Sequence, residues 1–124
     1  MLGDNDAIAT IPVKNIEAAR RFYQDTLGLM AGPSRQEGVL TCKSGSTSVL
    51  VYRSDFAGTN EATAATWAVD DVDGTVRSLK QKGVTFEHYD FPDMTLKGDV
   101  HVAGEMKAAW FKDPDGNILA VVSR

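Results

Sequence analysis

Cysteine, long apolar runs and basic charge are all scarce in this chain, and each scarcity excludes a class of protein. The single cysteine, Cys42, cannot form an internal disulfide, which points to a reducing, cytoplasmic location and to a small packing residue. No stretch of about 18 consecutive apolar residues is present, so no membrane span is expected. Met1 to Asp6 is short, polar and acidic, unlike the basic start and apolar stretch of a secretory signal. Lysine and arginine total 13 against 17 acidic residues, a net charge of −4, so there is no basic stripe to neutralise nucleic-acid phosphates. Histidine occurs only twice, as His88 and His101, with neither His-x-His nor His-x3-His spacing.

What is present fits one ordinary globular domain over residues 1–124, with 43% hydrophobic and 24% charged residues. Thr10-Ile11-Pro12-Val13 reads as a strand. Asn15 then caps a helix from Ile16 to Leu27, with Ile16, Ala19, Tyr23 and Leu27 on one face and Gly28 as its stop. Val39 to Cys42 and Val49 to Tyr52 read as strands joined by a Ser44-Gly45-Ser46 hairpin loop. Residues 55–62 form a polar linker.

The pattern then restarts. Thr66 to Val69 is a strand, Asp71 a cap, and Val72 to Lys82 a helix with Val72, Val76 and Leu79 inward and Gly83 at its end. Strands follow at Val84 to Tyr89, Lys107 to Phe111 and Ile118 to Val122. Asp113-Pro114-Asp115-Gly116 is a hairpin turn signal, with proline presetting φ and glycine supplying a positive φ. Shifting the sequence by 56 places Thr10 on Thr66, Val13 on Val69, Asn15 on Asp71, Ile16 on Val72 and Arg21 on Arg77. Strand, cap, helix and stop recur in the same order, so the chain reads as a duplicated β-α-β-β-β unit. One unit spans about 7–54 and the other about 63–123, and neither is large enough to close a core alone.

Two stretches carry a family resemblance: Ile11-Pro12-Val13-Lys14-Asn15-Ile16-Glu17-Ala18-Ala19, running on through Phe22-Tyr23 to Leu27-Gly28-Leu29, and Trp110-Phe111-Lys112-Asp113-Pro114-Asp115-Gly116-Asn117-Ile118-Leu119. Val69-Asp70-Asp71-Val72-Asp73 to Gly83-Val84 fits the start of a second half. The chain thereby resembles the vicinal oxygen chelate superfamily, which holds glyoxalase I, bleomycin-resistance proteins, fosfomycin-resistance enzymes and extradiol dioxygenases. The resemblance implies an α+β fold. Two βαβββ modules would form a curved, mostly antiparallel sheet around an open cavity, with helices on the outer side. It also implies a homodimer, with the modules paired within one chain or swapped between two.

In metal-using relatives the first strand of each half supplies a ligand, often histidine, and the last strand supplies a glutamate. Those positions fall here on Ile8, Ala64 and Ala120, with a fourth near Leu50 or Val51. None of these side chains binds a divalent cation. A one-residue slip brings in Ala7, Ala9, Ala65, Leu119 or Val121, and no ligand either. The expectation is a protein with no metal and no cofactor.

If Ile8, Ala64 and Ala120 face the cavity, strand alternation sends Thr10, Pro12, Thr66, Ala68, Ile118 and Val122 there too. Trp67 then faces the helices as a core residue. Trp110 lies where family members contact ligand. The segment Asp90 to Met106 reads as a long loop, either a lid or a surface excursion anchored by a few side chains. Residues expected to meet a ligand are Trp110, Thr10, Thr66, Tyr52, His101 and Met106. His101 and Glu105 form the one acid–base pair of that loop, against the plainer reading of a solvated histidine near a surface glutamate. Asp70, Asp71 and Asp73 suit a helix start, and Lys80 and Lys82 a helix end.

Three functions compete. The first is a metal-free protein binding a small, partly aromatic or apolar molecule. The second is a lyase, isomerase or dioxygenase of the same superfamily, with or without metal. The third is an accessory domain that only dimerises, its cavity filled by its own side chains.

Overall fold

The computed structural model describes residues 1–33 and 36–124. After a short 3-10 turn, β1 (Ala9–Val13) leads into α1 (Ile16–Arg20), which widens into a π-helical turn over Arg21–Thr26. Next come β2 (Met30–Ala31), β3 (Val39–Ser44) and β4 (Thr47–Arg53). The second half runs β5 (Thr63–Val69), α2 (Val72–Gln81), β6 (Phe86–Glu87), β7 (Thr95–Lys97), β8 (Val100–Ala103), β9 (Met106–Lys112) and β10 (Ile118–Ser123).

The repeated caps are both made. Asn15 Oδ1 accepts from the Ala18 N–H at 3.0 Å, and Asp71 Oδ1 from the Gly74 N–H at 2.9 Å, each satisfying an orphan donor of its helix. The strands obey the repeat too. The order is β1-β4-β3-β2 in one sheet and β5-β10-β9-β8-β7 in the other, with β6 sharing the outer edge of β9. In each half the first strand lies parallel to the last, β1 with β4 and β5 with β10, and the remaining pairs are antiparallel. β1 and β5 lie beside one another, so the halves meet edge to edge.

One core serves both halves. Ile11 and Val13 of β1, Val51 of β4 and Tyr23 of the π-helical turn are fully buried, in one cluster with Val76 and Leu79 of α2 and with Phe111, Leu119 and Val121. Alternation explains the pattern, since Thr10 between the helix-facing positions is exposed.

Two expectations need correction, and one short strand is added to them. The segment read as a long loop from Asp90 to Met106 contains a hairpin, β7–β8, with Thr95 opposite Val102 and Lys97 opposite Val100. β7 is wholly exposed and three residues long, too short for alternation to mark it as a strand. The strand expected from Val84 to Tyr89 shrinks to Phe86–Glu87, because only those two residues pair with β9. β2, two residues long, was not expected at all.

A buried polar tie joins the halves. Asp113 is 5% exposed and Asn117 3%. Asp113 Oδ2 accepts from the Tyr23 hydroxyl and from Asn117 Nδ2, both at 2.8 Å. Its Oδ1 accepts from the backbone N–H groups of Asp115 at 3.0 Å and Asn117 at 2.9 Å. Asn117 Nδ2 donates to the Pro12 carbonyl at 2.7 Å, and Asp115 Oδ2 accepts from the Lys14 N–H at 3.0 Å. A buried carboxylate is tolerated when its lone pairs are filled in this way. Burial, and then the charge of Asp113, raise the Tyr23 phenol well above its ordinary value, so it remains a donor.

Candidate ligand-binding face

The face away from the helices follows from strand register. Thr10 pairs with Leu50 and Pro12 with Tyr52 in the first half; Ala120 lies between Thr66 and Trp110 in the second. Their neighbours Ile11, Val51, Val121 and Phe111 point into the core. The face therefore presents Thr10, Leu50, Tyr52, Thr66, Ala120 and Trp110, which offer methyls, hydroxyls and aromatic rings.

The positions where the resemblance places metal ligands do not fit a metal. Ile8, just before β1, is 55% exposed and aliphatic. Ala64 sits at a bulge, where β5 has one residue more than β10 between Thr63 and Ala65. The bulge interrupts alternation and packs Ala64 against the core, away from the face where simple counting puts it. Ala120 is 2% exposed although it carries only a methyl. Trp110 accounts for this: its indole N–H donates to Thr63 Oγ1 at 3.2 Å, so the ring reaches from β9 over β10 to β5. Among the described residues no three His, Cys, Asp or Glu side chains are grouped to hold a metal ion.

Trp110 belongs to a cluster of rings. Its centroid lies 4.9 Å from His101, 5.6 Å from Tyr89 and 5.3 Å from Phe91. Tyr89 and Phe91 also meet His101, at 6.2 and 5.8 Å. His101 stands on β8 opposite Ala108, hence on the same face as Trp110. It is 1% exposed, and its Nε2 meets both the N–H of Tyr89 at 3.0 Å and the carbonyl oxygen of Tyr89 at 3.1 Å. Glu105, in contrast, is exposed in the turn between β8 and β9, so the two residues read as an acid–base pair occupy different environments. Met106 opens β9 at 53% exposure, and Thr10 and Thr66 are also exposed. Tyr89 and Phe91 went unrecognised in the sequence because their partners lie on β8 and β9. The signal available was an aromatic pair two residues apart just after β6.

Around the cluster the chemistry is conventional. Lys112 Nζ pairs with Glu87 at 3.2 Å on the rim. Burial, followed by the charge of Glu87, raises the Tyr89 phenol, which keeps it protonated. Trp67 packs against the core on the helix side and donates from Nε1 to Ser44 Oγ at 2.8 Å. Burial also raises the Cys42 thiol, partly offset by Arg20, so this cysteine is a poor nucleophile. The first-half face opens into a groove of about 720 Å³ lined by Met30, Val39, Thr41, Lys43 and Ser48 among others. No helix among the described residues is long and apolar enough to cross a membrane.

Comparison with known proteins agrees with this architecture. No curated protein matches the chain significantly in sequence. Solved structures do. A lactoylglutathione lyase from Agrobacterium tumefaciens superimposes with a TM-score of 0.71 at 17% identity, covering 96% of this chain and 92% of the other. TnmS3, an antibiotic binding protein from Streptomyces sp. CB03234, gives 0.67 at 21% identity, covering 96% and 94%. A superfamily member from Sphaerobacter thermophilus DSM 20745 gives 0.66 at 22%, covering 97% of each chain. At these identities the likeness establishes the fold. The family model for the Glyoxalase/Bleomycin resistance protein/Dioxygenase superfamily matches residues 6–121, and the chain belongs to that superfamily.

Proposed function

We propose that this chain is a metal-independent binding protein that takes a small, partly aromatic or apolar molecule against the face of Thr10, Leu50, Tyr52, Thr66 and Trp110. One observation carries the reading. Ile8 just before β1, Leu50 or Val51 of β4, Ala64 of β5 and Ala120 of β10 stand at the family's ligand positions, and an indole covers Ala120. A catalytic metal site needs about three nitrogen, oxygen or sulfur donors, whereas a surface of methyls, hydroxyls and rings suits a planar or amphipathic guest. TnmS3, with the same fold, is described as an antibiotic binding protein. The reading includes a homodimer and a cytoplasmic location, in keeping with family membership and the buried thiol of Cys42.

Isothermal calorimetry tests it. Planar aromatic probes are expected to bind with one-to-one stoichiometry, and zinc, nickel and manganese to give no tight stoichiometric site. A tightly held divalent ion, or no heat with any probe, overturns the reading. Sedimentation at micromolar concentration tests the dimer.

The enzymatic alternative rests on the buried imidazole of His101. It requires turnover of a hemithioacetal or a catechol, and loss of that turnover in His101→Phe.

A further inference from the structure

The ring cluster contains two polar atoms that nothing satisfies. The Tyr89 hydroxyl and His101 Nδ1 are both buried, and neither has a hydrogen-bond partner among the described residues. Native proteins seldom leave such atoms unpaired in a dry site. Nor does packing alone call for the hydroxyl of Tyr89, since phenylalanine would fill that position without an orphan. His101 Nε2 lies 3.0 Å from the Tyr89 N–H, which can only donate, and 3.1 Å from the Tyr89 carbonyl oxygen, which can only accept, so either neutral tautomer finds a partner there. Nδ1 is therefore a donor in one tautomer and an acceptor in the other. The cluster thus holds an idle hydroxyl donor and an idle imidazole nitrogen on rings 6.2 Å apart, beside the Trp110 indole.

The four rings are not equally fixed. Trp110 is on β9 and tied to Thr63; His101 is on β8 and tied to the Tyr89 backbone. Phe91 lies outside any strand, is 39% exposed, and touches the other three rings at 5.3–5.8 Å.

We propose that Tyr89, His101 and Trp110 form a pocket for a planar arene bearing a hydrogen-bond-accepting oxygen, such as an aryl carboxylate, and that Phe91 occupies the arene's place until it binds. The arene replaces Phe91 against Trp110, and its oxygen accepts from the Tyr89 hydroxyl and, in the tautomer that carries the proton on Nδ1, from His101. This rests on the binding reading above and narrows it to one ligand chemistry and one part of the face.

The test follows Trp110 fluorescence in a Trp67→Phe background, which leaves one tryptophan. The probes are 2-naphthoate, neutral naphthalene and 2-naphthylmethylammonium. Naphthoate is expected to quench Trp110 with a Kd about tenfold or more below the other two, one good hydrogen bond being worth about that factor. Tyr89→Phe removes only an unpartnered hydroxyl, so the protein should fold unimpaired. That variant should lose the preference for naphthoate while keeping its affinity for naphthalene. Phe91→Ala should tighten all three probes. If naphthalene and naphthoate bind Trp110 equally, or Tyr89→Phe changes nothing, the oxygen-binding role of the Tyr89 hydroxyl is refuted while the binding reading stands. Calorimetric heat without any change at Trp110 refutes the pocket alone, and absence of heat for every probe refutes both.

Discussion

The Tyr23 hydroxyl and the Asp113 carboxylate, 90 positions apart in the chain, meet at 2.8 Å inside the protein, and their bond joins the first half to the β9–β10 turn of the second. Replacing Asp113 by alanine leaves Tyr23, Asn117 and two backbone N–H groups without their acceptor. The expected loss is about 3–5 kcal/mol, the range for breaking a buried charged network. Tyr23→Phe removes one of four donors and is expected to cost about 1–2 kcal/mol. Urea denaturation of both variants checks the ratio. Equal losses would show that the carboxylate's other three bonds contribute nothing.

Asp99 ties the β7–β8 hairpin to the rest of the molecule. It accepts from Lys80 Nζ at 2.6 Å and from His88 Nε2 at 2.8 Å, and these bonds hold its carboxyl below the usual carboxylate range, Lys80 contributing most. A depressed folded-state pKa contributes stability above the ordinary value of about 3.9, and that stability is lost as the pH falls through the lower folded value. Asp99→Asn should therefore cost about 1 kcal/mol near neutrality, a figure already reduced for solvent screening of Lys80. The difference from wild type should vanish at the acid end of a pH series of urea melts. A difference that persists there would assign the effect to shape and not to charge.

Gly58 marks a close approach of backbones. It has φ +74, and a Cβ there would fall inside the Asp115 carbonyl oxygen. Gly58→Ala should destabilise by about 3 kcal/mol or more, combining left-handed strain with displacement of the β9–β10 turn. Gly45→Ala is the control, with φ +57 and open space around it; its expected cost is about 1–2 kcal/mol. Thermal melts of the pair separate conformational strain from collision.

Restoring ligands at the family's metal positions should succeed at one position and fail at another. Ile8→His changes a half-exposed side chain and should shift stability by no more than about 0.5 kcal/mol. Ala120→Glu places a carboxylate at a 2% exposed position under the Trp110 indole, with an expected cost of about 3 kcal/mol or more. A stable Ala120→Glu variant would show that the indole swings away freely.

The repeated units were readable because short-range rules govern them. Asn15 and Asp71 are local caps, α2 shows its inward Val72, Val76 and Leu79 at helical spacing, and the Asp113 to Gly116 turn carries its own φ preferences. What escaped was decided elsewhere. The wholly exposed β7 pairs only through its backbone, and the two residues of β2 are too few for any period to show. The second half of α1 winds as a π-helical turn while Tyr23 reaches Asp113. On the candidate face, Thr10 and Thr66 follow from alternation and Trp110 from the family resemblance, but a single-residue bulge moved Ala64. The meeting of Tyr89, Phe91 and His101 depends on a hairpin that no local pattern announced.

The parallel pairing of first and last strands in each half also constrains the order of assembly. Residues 9–13 find their partner only when 49–53 are available, and residues 63–69 wait for 118–123. Both ladders close long loops before they gain any contact energy, which places this chain with slow folders of high contact order. Until those later segments arrive, β1 and β5 are unpaired edges lying next to each other in the finished protein. An unpaired strand edge is a template for another chain, so crowding many unfinished chains together favours exchange between them over pairing within one.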